Sequence, residues 1–407
     1  MNYYPLENLL RIIAPYFYRQ QETPYRMINT ELKTWDIFCR VIDNYGDIGV
    51  CWRLARQLAN EYPFQVQLWV DELIALKQIW PDTLLCTQQI LERVQVRLWA
   101  EEFPNDIVPA DVVVEAFACH LPDAYLLAMK HKASQPCWFN LEYLSAEEWV
   151  EGCHGLTSVH PQLGLKKTFF FPGVTAKTGG LLKEKRLLDE SLEFQQHEQT
   201  KPLFLQRLGV QLPNDALLIS LFGYENPAIN SLLKVWMQSP TPILCLIPPG
   251  KILPDVVRAL GQEMTIGDSF SKGSLSVLII PFLNQVDYDR LLWVCDINFV
   301  RGEDSFVRAQ WAAKPLVWHI YPQDNDFHMM KLYAFLCRYA QPLDSETRDA
   351  ITRLWHQWNQ GNDCTESWNA CLTNLQNWQK HGQNWRQHLN SLGDLASNMV
   401  HFYQKTL

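Results

Sequence analysis

The sequence has no apolar run approaching the roughly 18 residues that a membrane-spanning helix needs; residues 216–223 are among its longest. A helical membrane protein is thereby excluded. None of its 11 cysteines forms a CxxC pair, so no zinc cluster is expected. Their odd number suits a reducing compartment, and the protein is expected to be cytoplasmic. An excess of positive charge is also missing. The formal net charge is −9, which argues against non-specific binding to nucleic acid or to an acidic membrane surface. No GxGxxG follows the first strand, which weakens a dinucleotide-oxidoreductase reading. Residues 9–18 are the one apolar stretch near the N-terminus. Arg11 and Pro15 interrupt it and Glu7 precedes it, so no signal peptide is expected.

What is present describes a globular chain. It has 407 residues, 47% of them hydrophobic and 19% charged, enough for two or three domains and a large core. Sixteen tryptophans are an unusual store of rings for packing or for stacking on a planar ligand. Cys39, Cys51, Cys245 and Cys295 lie within apolar runs and read as small core residues.

After residues 1–34, strand-like runs at 36–42, 65–70, 94–99, 111–118 and 137–141 alternate with helical patterns at 48–60, 73–80 and 122–131. Ser145 and Glu148 have the spacing of a capping box for a further short helix. Residues 183–201 are dense in charge and poor in order signals, and read as a linker or surface insertion. The pattern restarts with strands at 217–224, 242–247, 277–282, 297–300 and 316–320. Helices are expected at 228–237, 285–294, 305–313, 327–339 and over most of 350–403. Alternation of this kind predicts an α/β fold of two parallel sheets, with ligands held in the cleft where strand ends meet.

Several stretches at strand ends carry possible chemistry. In RVIDNYGDIG, Gly46 and Gly49 permit a tight turn, but Asp43 and Asp47 would repel a phosphate there. The two acids suit a cationic partner or a base; alternatively Asp47 caps the helix. In RGEDSF, Gly302 and the following N–H groups form a natural anion site, to which Arg301 and Ser305 can add. Glu303 and Asp304 are awkward there unless one faces away, and a capped helix with a surface arginine is the alternative. Phe282 and Gln285 can stack on a base and read its edge, or Phe282 is core. Phe222 and Tyr224 flank Gly223 and either wall a pocket or pack a turn. Tyr321 either donates to a phosphate or packs. Two Asp-x-Asp triplets, at 287–289 and 324–326, read as solvated surface; Mg²⁺ binding is the alternative.

Two stretches carry a resemblance. WDIFCRVIDNYGDIGVCWRLARQLA from Trp35 and INFVRGEDSFVRAQWAAKPLVWHIYPQ from Ile297 closely resemble the bacterial protein-arginine rhamnosyltransferases of elongation factor P. The likeness implies a GT-B fold of two Rossmann-like domains facing each other across a cleft. It implies inverting, metal-independent transfer of rhamnose from dTDP-β-L-rhamnose to an arginine of elongation factor P, activating that factor at ribosomes stalled on polyproline. The implied organisation is an extension at 1–34, an acceptor domain at 35–182 joined by a C-terminal helix at 390–407, a linker at 183–213 and a nucleotide-sugar domain at 214–389. By motif, Asp47 takes the general-base position, with Asp43 and Glu303 as the neighbouring acids. Phe222, Tyr224, Phe282, Gln285, Arg301, Gly302, Asp304, Ser305 and Tyr321 fall at donor positions. The rival readings are a GT-B enzyme with another nucleotide sugar and a glycan or lipid acceptor, and a binder without turnover.

Overall fold

Runs of buried Val, Ile, Leu and Phe make strands that are covered on both faces, as parallel sheets require. A computed structural model describes residues 32–42, 45–211, 215–323 and 326–406 of the chain. Its first sheet comprises β1 (Lys33–Cys39), β2 (Phe64–Val70), β3 (Gln88–Leu91), β4 (Val94–Leu98), β5 (Val112–Ala116), β6 (Cys137–Leu141), β7 (Thr157–Val159) and β8 (Lys166–Phe170). The order is β3-β4-β2-β1-β5-β6-β8-β7, with β3 and β7 antiparallel at the two edges and the rest parallel. Helices α1 (Gly46–Glu61), α2 (Leu73–Ile79), α3 (Asp123–His131) and α4 (Glu148–Cys153) connect these strands.

The stretch at 183–213, expected to be a linker and poor in order signals, holds two helices, α5 (Leu187–Gln196) and α6 (Thr200–Arg207). Their charged residues face solvent, while Phe194, Phe204 and Leu205 are buried in the core of the second sheet. The apolar positions were too widely spaced among charges to show a stripe.

The second sheet comprises β9 (Leu217–Leu221), β10 (Ile243–Ile247), β11 (Ser269–Lys272), β12 (Leu275–Ile279), β13 (Ile297–Arg301) and β14 (Leu316–His319), ordered β11-β12-β10-β9-β13-β14. Its helices are α7 (Ile229–Met237), α8 (Leu253–Leu260), α9 (Gln285–Val294), α10 (Asp304–Ala312), α11 (Phe327–Ala340), α12 (Ser345–Asn359), α13 (Thr365–Thr373) and α14 (Leu375–Ser391). The tryptophans go largely to packing: Trp355, Trp358, Trp368 and Trp378 are wholly buried. The final helix, α15 (Leu395–Thr406), buries Leu395, Met399 and Tyr403 in the core of the first sheet.

Three local expectations are corrected. Lys33 and Thr34 belong to β1 rather than to an extension, with the Thr34 N–H donating to Asp111 Oδ2 at 3.1 Å. β5 stops at Ala116 because Phe117 and Ala118 turn to positive φ (55° and 51°), which no strand continues. Ser145 does not cap α4; its hydroxyl donates to Glu147 Oε2 at 2.9 Å, and the N-cap is Glu147, which makes no side-chain cap.

Both sheets reverse strand order at their centre, between β1 and β5 and between β9 and β13. Ligands in open α/β sheets bind at the carboxyl ends of such strands. Behind those ends, a buried charge cluster joins the two sheets' helices. Arg53 of α1 donates bidentately to Asp289 of α9 (3.1 and 3.1 Å), to Asp304 of α10 (2.9 Å) and to Glu184 (3.4 Å). Arg308 of α10 also pairs with Asp289 (2.7 Å) and Glu184 (2.6 Å). Asp289 is thus buried and paired, correcting its reading as solvated surface. Asp287 pairs with Arg290 at 2.8 Å, and Asp324 lies outside the described residues.

Removing one member of such a cluster leaves another charge buried and uncompensated. Asp289→Ala is expected to lower stability by about 3–5 kcal/mol in urea unfolding. A loss below about 1 kcal/mol would mean that Arg53 and Arg308 need no partner there.

Candidate active site

The turn after β1 needs glycine for a close approach. A Cβ on Gly49 would lie 3.1 Å from the Asp304 side chain, so only glycine lets α1 reach α10 undisturbed. Asp47, two residues earlier, is buried. It is not the N-cap: Tyr45 holds that position without a side-chain cap. Asp47 Oδ2 instead accepts the Ile42 N–H at 2.8 Å, and Oδ1 accepts the Tyr143 hydroxyl at 3.2 Å. The carboxylate is therefore held in a fixed orientation at the mouth of the crossover. Asp43 lies outside the described residues.

Across the cleft, Gly302 follows β13 with φ 61°, a conformation that favours glycine. It precedes two consecutive acids that face opposite ways. Asp304 turns back to Arg53, which resolves the awkward pair of carboxylates in the sequence. Glu303 turns toward Asp47 and accepts the Leu144 N–H at 3.0 Å. Burial pushes the Glu303 carboxyl up to about 8; the Leu144 N–H and Lys331 oppose this, and the charge of Asp47 adds to it.

Two cavities meet at Gly46 and Gly302. The larger, about 830 Å³, is lined by Asp47, Tyr143, Glu303, Tyr321, His328 and Lys331 among others. It is an acidic chamber with aromatic walls. The other, about 590 Å³, is lined by Tyr45, Phe222, Phe282, Gln285, Tyr288, Arg301, Asp304 and Ser305 among others. Arg301 Nη1 and Gln285 Oε1 are among the buried polar atoms there that have no partner among the described residues. Such atoms cost about 1–3 kcal/mol each unless a ligand satisfies them. Arg301 is held in place, its guanidinium 4.5 Å from the Phe222 ring and 4.8 Å from the Tyr224 ring. The Ser305 hydroxyl closes the turn, accepting the Arg301 N–H at 3.0 Å and donating to the Arg301 carbonyl. Phe282 packs on Tyr45 with centroids 5.0 Å apart. Gln285 Nε2 donates to the Gly49 carbonyl at 3.0 Å, linking α9 to α1.

Among the described residues most of the candidates therefore converge, though Tyr321 lines the acidic cavity and not the one that holds the other donor candidates. Tyr224 lines neither cavity. It packs behind Arg301 against His319 and Tyr321, and its N–H donates to His319 Nδ1 at 3.2 Å. Burial and Arg301 push His319 down to about 3, so it accepts as the neutral ring. Sequence reading missed Tyr143, Lys331 and Arg53. Tyr143 stands two residues past β6, so its place just beyond a strand's carboxyl end was the available signal. Arg53 carried none, being one arginine on a helix face.

A family model described as elongation factor P rhamnosyltransferase EarP matches residues 35–404. The chain belongs to the EarP family. Proteins named protein-arginine rhamnosyltransferase from Pseudomonas putida and Pseudomonas aeruginosa are 49% and 45% identical to it. The matches cover 92% and 91% of this chain and 99% of each relative. A solved structure described as the basis for EarP-mediated arginine glycosylation of translation elongation factor EF-P shares 37% identity at a TM-score of 0.68. It is matched over 92% of this chain and all of its own. As an EarP-family enzyme the chain is a glycosyltransferase, and its two facing sheets are the GT-B arrangement.

The Glu303 environment has a measurable consequence. Its carboxyl holds a proton to about pH 8 when folded, whereas the unfolded chain releases it near the ordinary 4.5. The folded state therefore loses stability as pH rises between those values and loses no more above them. Glu303→Gln should show a melting temperature that gains on the parent from pH 5 to 8 and then holds level. Equal melting curves across that range would show that Glu303 ionises normally.

Proposed function

We propose that this chain transfers rhamnose from dTDP-β-L-rhamnose to an arginine side chain of elongation factor P, with inversion at the anomeric carbon. The observation that carries this reading is the meeting of two unlike cavities at Gly46 and Gly302. One offers Arg301 Nη1 and Gln285 Oε1 unpaired; the other offers Asp47 and Glu303. A nucleotide diphosphate suits the first and a guanidinium the second.

On this reading the donor base lies against Phe282, with Gln285 at its edge. The diphosphate meets Arg301, Tyr321, Gly302 and the first turn of α10, whose N–H groups lack partners within the helix. Ser305 keeps that turn closed, Phe222 supports Arg301, and Asp304 holds α10 to Arg53. These donors stabilise the charge that develops on the leaving diphosphate. A carboxylate of the Asp-x-Asp triplet is poorly placed to hold a metal, since Asp289 is committed to two guanidinium groups. Metal independence is accordingly part of the proposal.

The acceptor side must solve a harder problem. A guanidinium stays protonated to above about pH 12, and its lone pairs are delocalised. Glu303 and Asp43 grip and orient it. One nitrogen attacks the anomeric carbon as the bond from that carbon to the diphosphate oxygen breaks. The nitrogen becomes acidic only as the new bond forms, and Asp47 then takes its proton. Guanidinium entry also favours ionised Glu303, so binding of the acceptor releases a proton below about pH 8.

Intact-mass measurement of elongation factor P incubated with the chain and dTDP-rhamnose in excess EDTA should show a gain of one rhamnosyl group. An unmodified acceptor would sink the proposal, and a gain seen only with Mg²⁺ would remove metal independence. Asp47→Asn should leave the dTDP dissociation constant within about twofold while kcat falls by roughly two to four orders of magnitude. Turnover near that of the parent would take Asp47 out of the base role.

A further inference from the structure

Helix α11 is apolar on both faces. Leu332, Phe335, Leu336 and Tyr339 are buried in the core, as a surface helix requires. Its outer face should then be polar. Instead Phe327, Met330 and Tyr333 stand there, 59%, 61% and 58% exposed. They are three residues apart and so lie along one side of the helix. Large exposed apolar side chains grouped in this way mark a surface that something covers.

The neighbours of this stripe say what covers it. His328 and Lys331 alternate with Phe327 and Met330 along the first two turns, and both line the acidic cavity. Two further exposed apolar residues, Ile42 and Tyr321, line the same cavity. The stripe is thus the outer rim of the chamber that holds Asp47 and Glu303. A second copy of this chain or a lipid surface seated there would close the mouth to its substrate. A protein that inserts a side chain through the mouth must lie on that rim.

We propose that the outer face of α11, formed by Phe327, Met330 and Tyr333, is a docking surface for the folded acceptor protein, contacting apolar side chains that flank its target arginine. This rests on the function proposed above. It adds a recognition element outside the catalytic chamber, so that binding energy comes from surface remote from the reacting nitrogen.

The test is the triple variant Phe327→Ser/Met330→Ser/Tyr333→Ser, titrated with elongation factor P and separately with dTDP by calorimetry. The dissociation constant for elongation factor P should rise at least tenfold, with that for dTDP unchanged within twofold. Unchanged affinity for elongation factor P in a variant that still binds dTDP overturns the proposal. If the triple variant fails to fold, Met330→Glu alone should weaken elongation factor P in the same sense, and unchanged affinity there overturns it equally. Loss of self-association in sedimentation, or of binding to anionic phospholipid vesicles, with elongation factor P affinity intact would assign the stripe to those partners instead. The two readings fail separately. A parent chain that binds elongation factor P through this face without modifying it sinks the function and leaves the surface. A parent that modifies it, beside a triple variant of equal affinity, does the reverse.

Discussion

Everything at the cleft depends on a guanidinium taken out of water. Arg53 leaves α1 and is fully buried among Asp289, Asp304 and Glu184, with Arg308 completing the cluster. A buried charge is tolerable only when its partners are close and well oriented. The helices that bring those partners therefore have little freedom to slide. Gly49 permits the approach of α1 to α10, and Gln285 crosses to the Gly49 carbonyl on the same seam. The relative position of Gly46 and Gly302, where the two cavities join, follows from that seam.

The second constraint is electrostatic separation over a short distance. On the function proposed above, a dianionic leaving group and a cation must be held in adjoining places. Consecutive residues divide the task. Arg301 faces one cavity, Gly302 turns the chain, Glu303 faces the other, and Asp304 is withdrawn to Arg53. The acid that remains beside Asp47 is pushed up to about 8, chiefly by burial and also by that neighbour. The charge of Asp47 disfavours the ionised form of Glu303, and Lys331 beside it works the other way. In the other cavity Arg301 Nη1 has no partner among the described residues.

Much of the fold was legible because parallel strands buried on both faces are short, largely apolar runs, and β5, β9, β10 and β13 are of that kind. The weak segments were those whose apolar content is diluted by charge or confined to one edge. α5 and α6 looked like a linker, and the antiparallel edge strands β3, β7 and β11 had no signal strong enough to name. Within the site, residues on glycine turns at strand ends stood out, since such turns are rare and have a mechanical purpose. Tyr143 and Lys331 did not stand out. Their importance lies in what they face, and each alone resembles many other tyrosines and lysines.

The sequence by itself determined the class of the fold, the two glycine turns that bear the candidate site residues and the family to which the chain belongs. Those follow from local periodicity, from glycine at positions of special backbone geometry and from two long stretches of specific order. Only the tertiary structure decided which way each acid points. Asp47 and Asp304 are both acids in a first helical turn, and nothing local distinguishes one that lines the larger cavity from one that anchors a buried arginine. That distinction is made by partners 96 residues away from the first and 251 away from the second. The first contact forms when β1 and β6 take their places in one sheet, and the second only once the two sheets have come together.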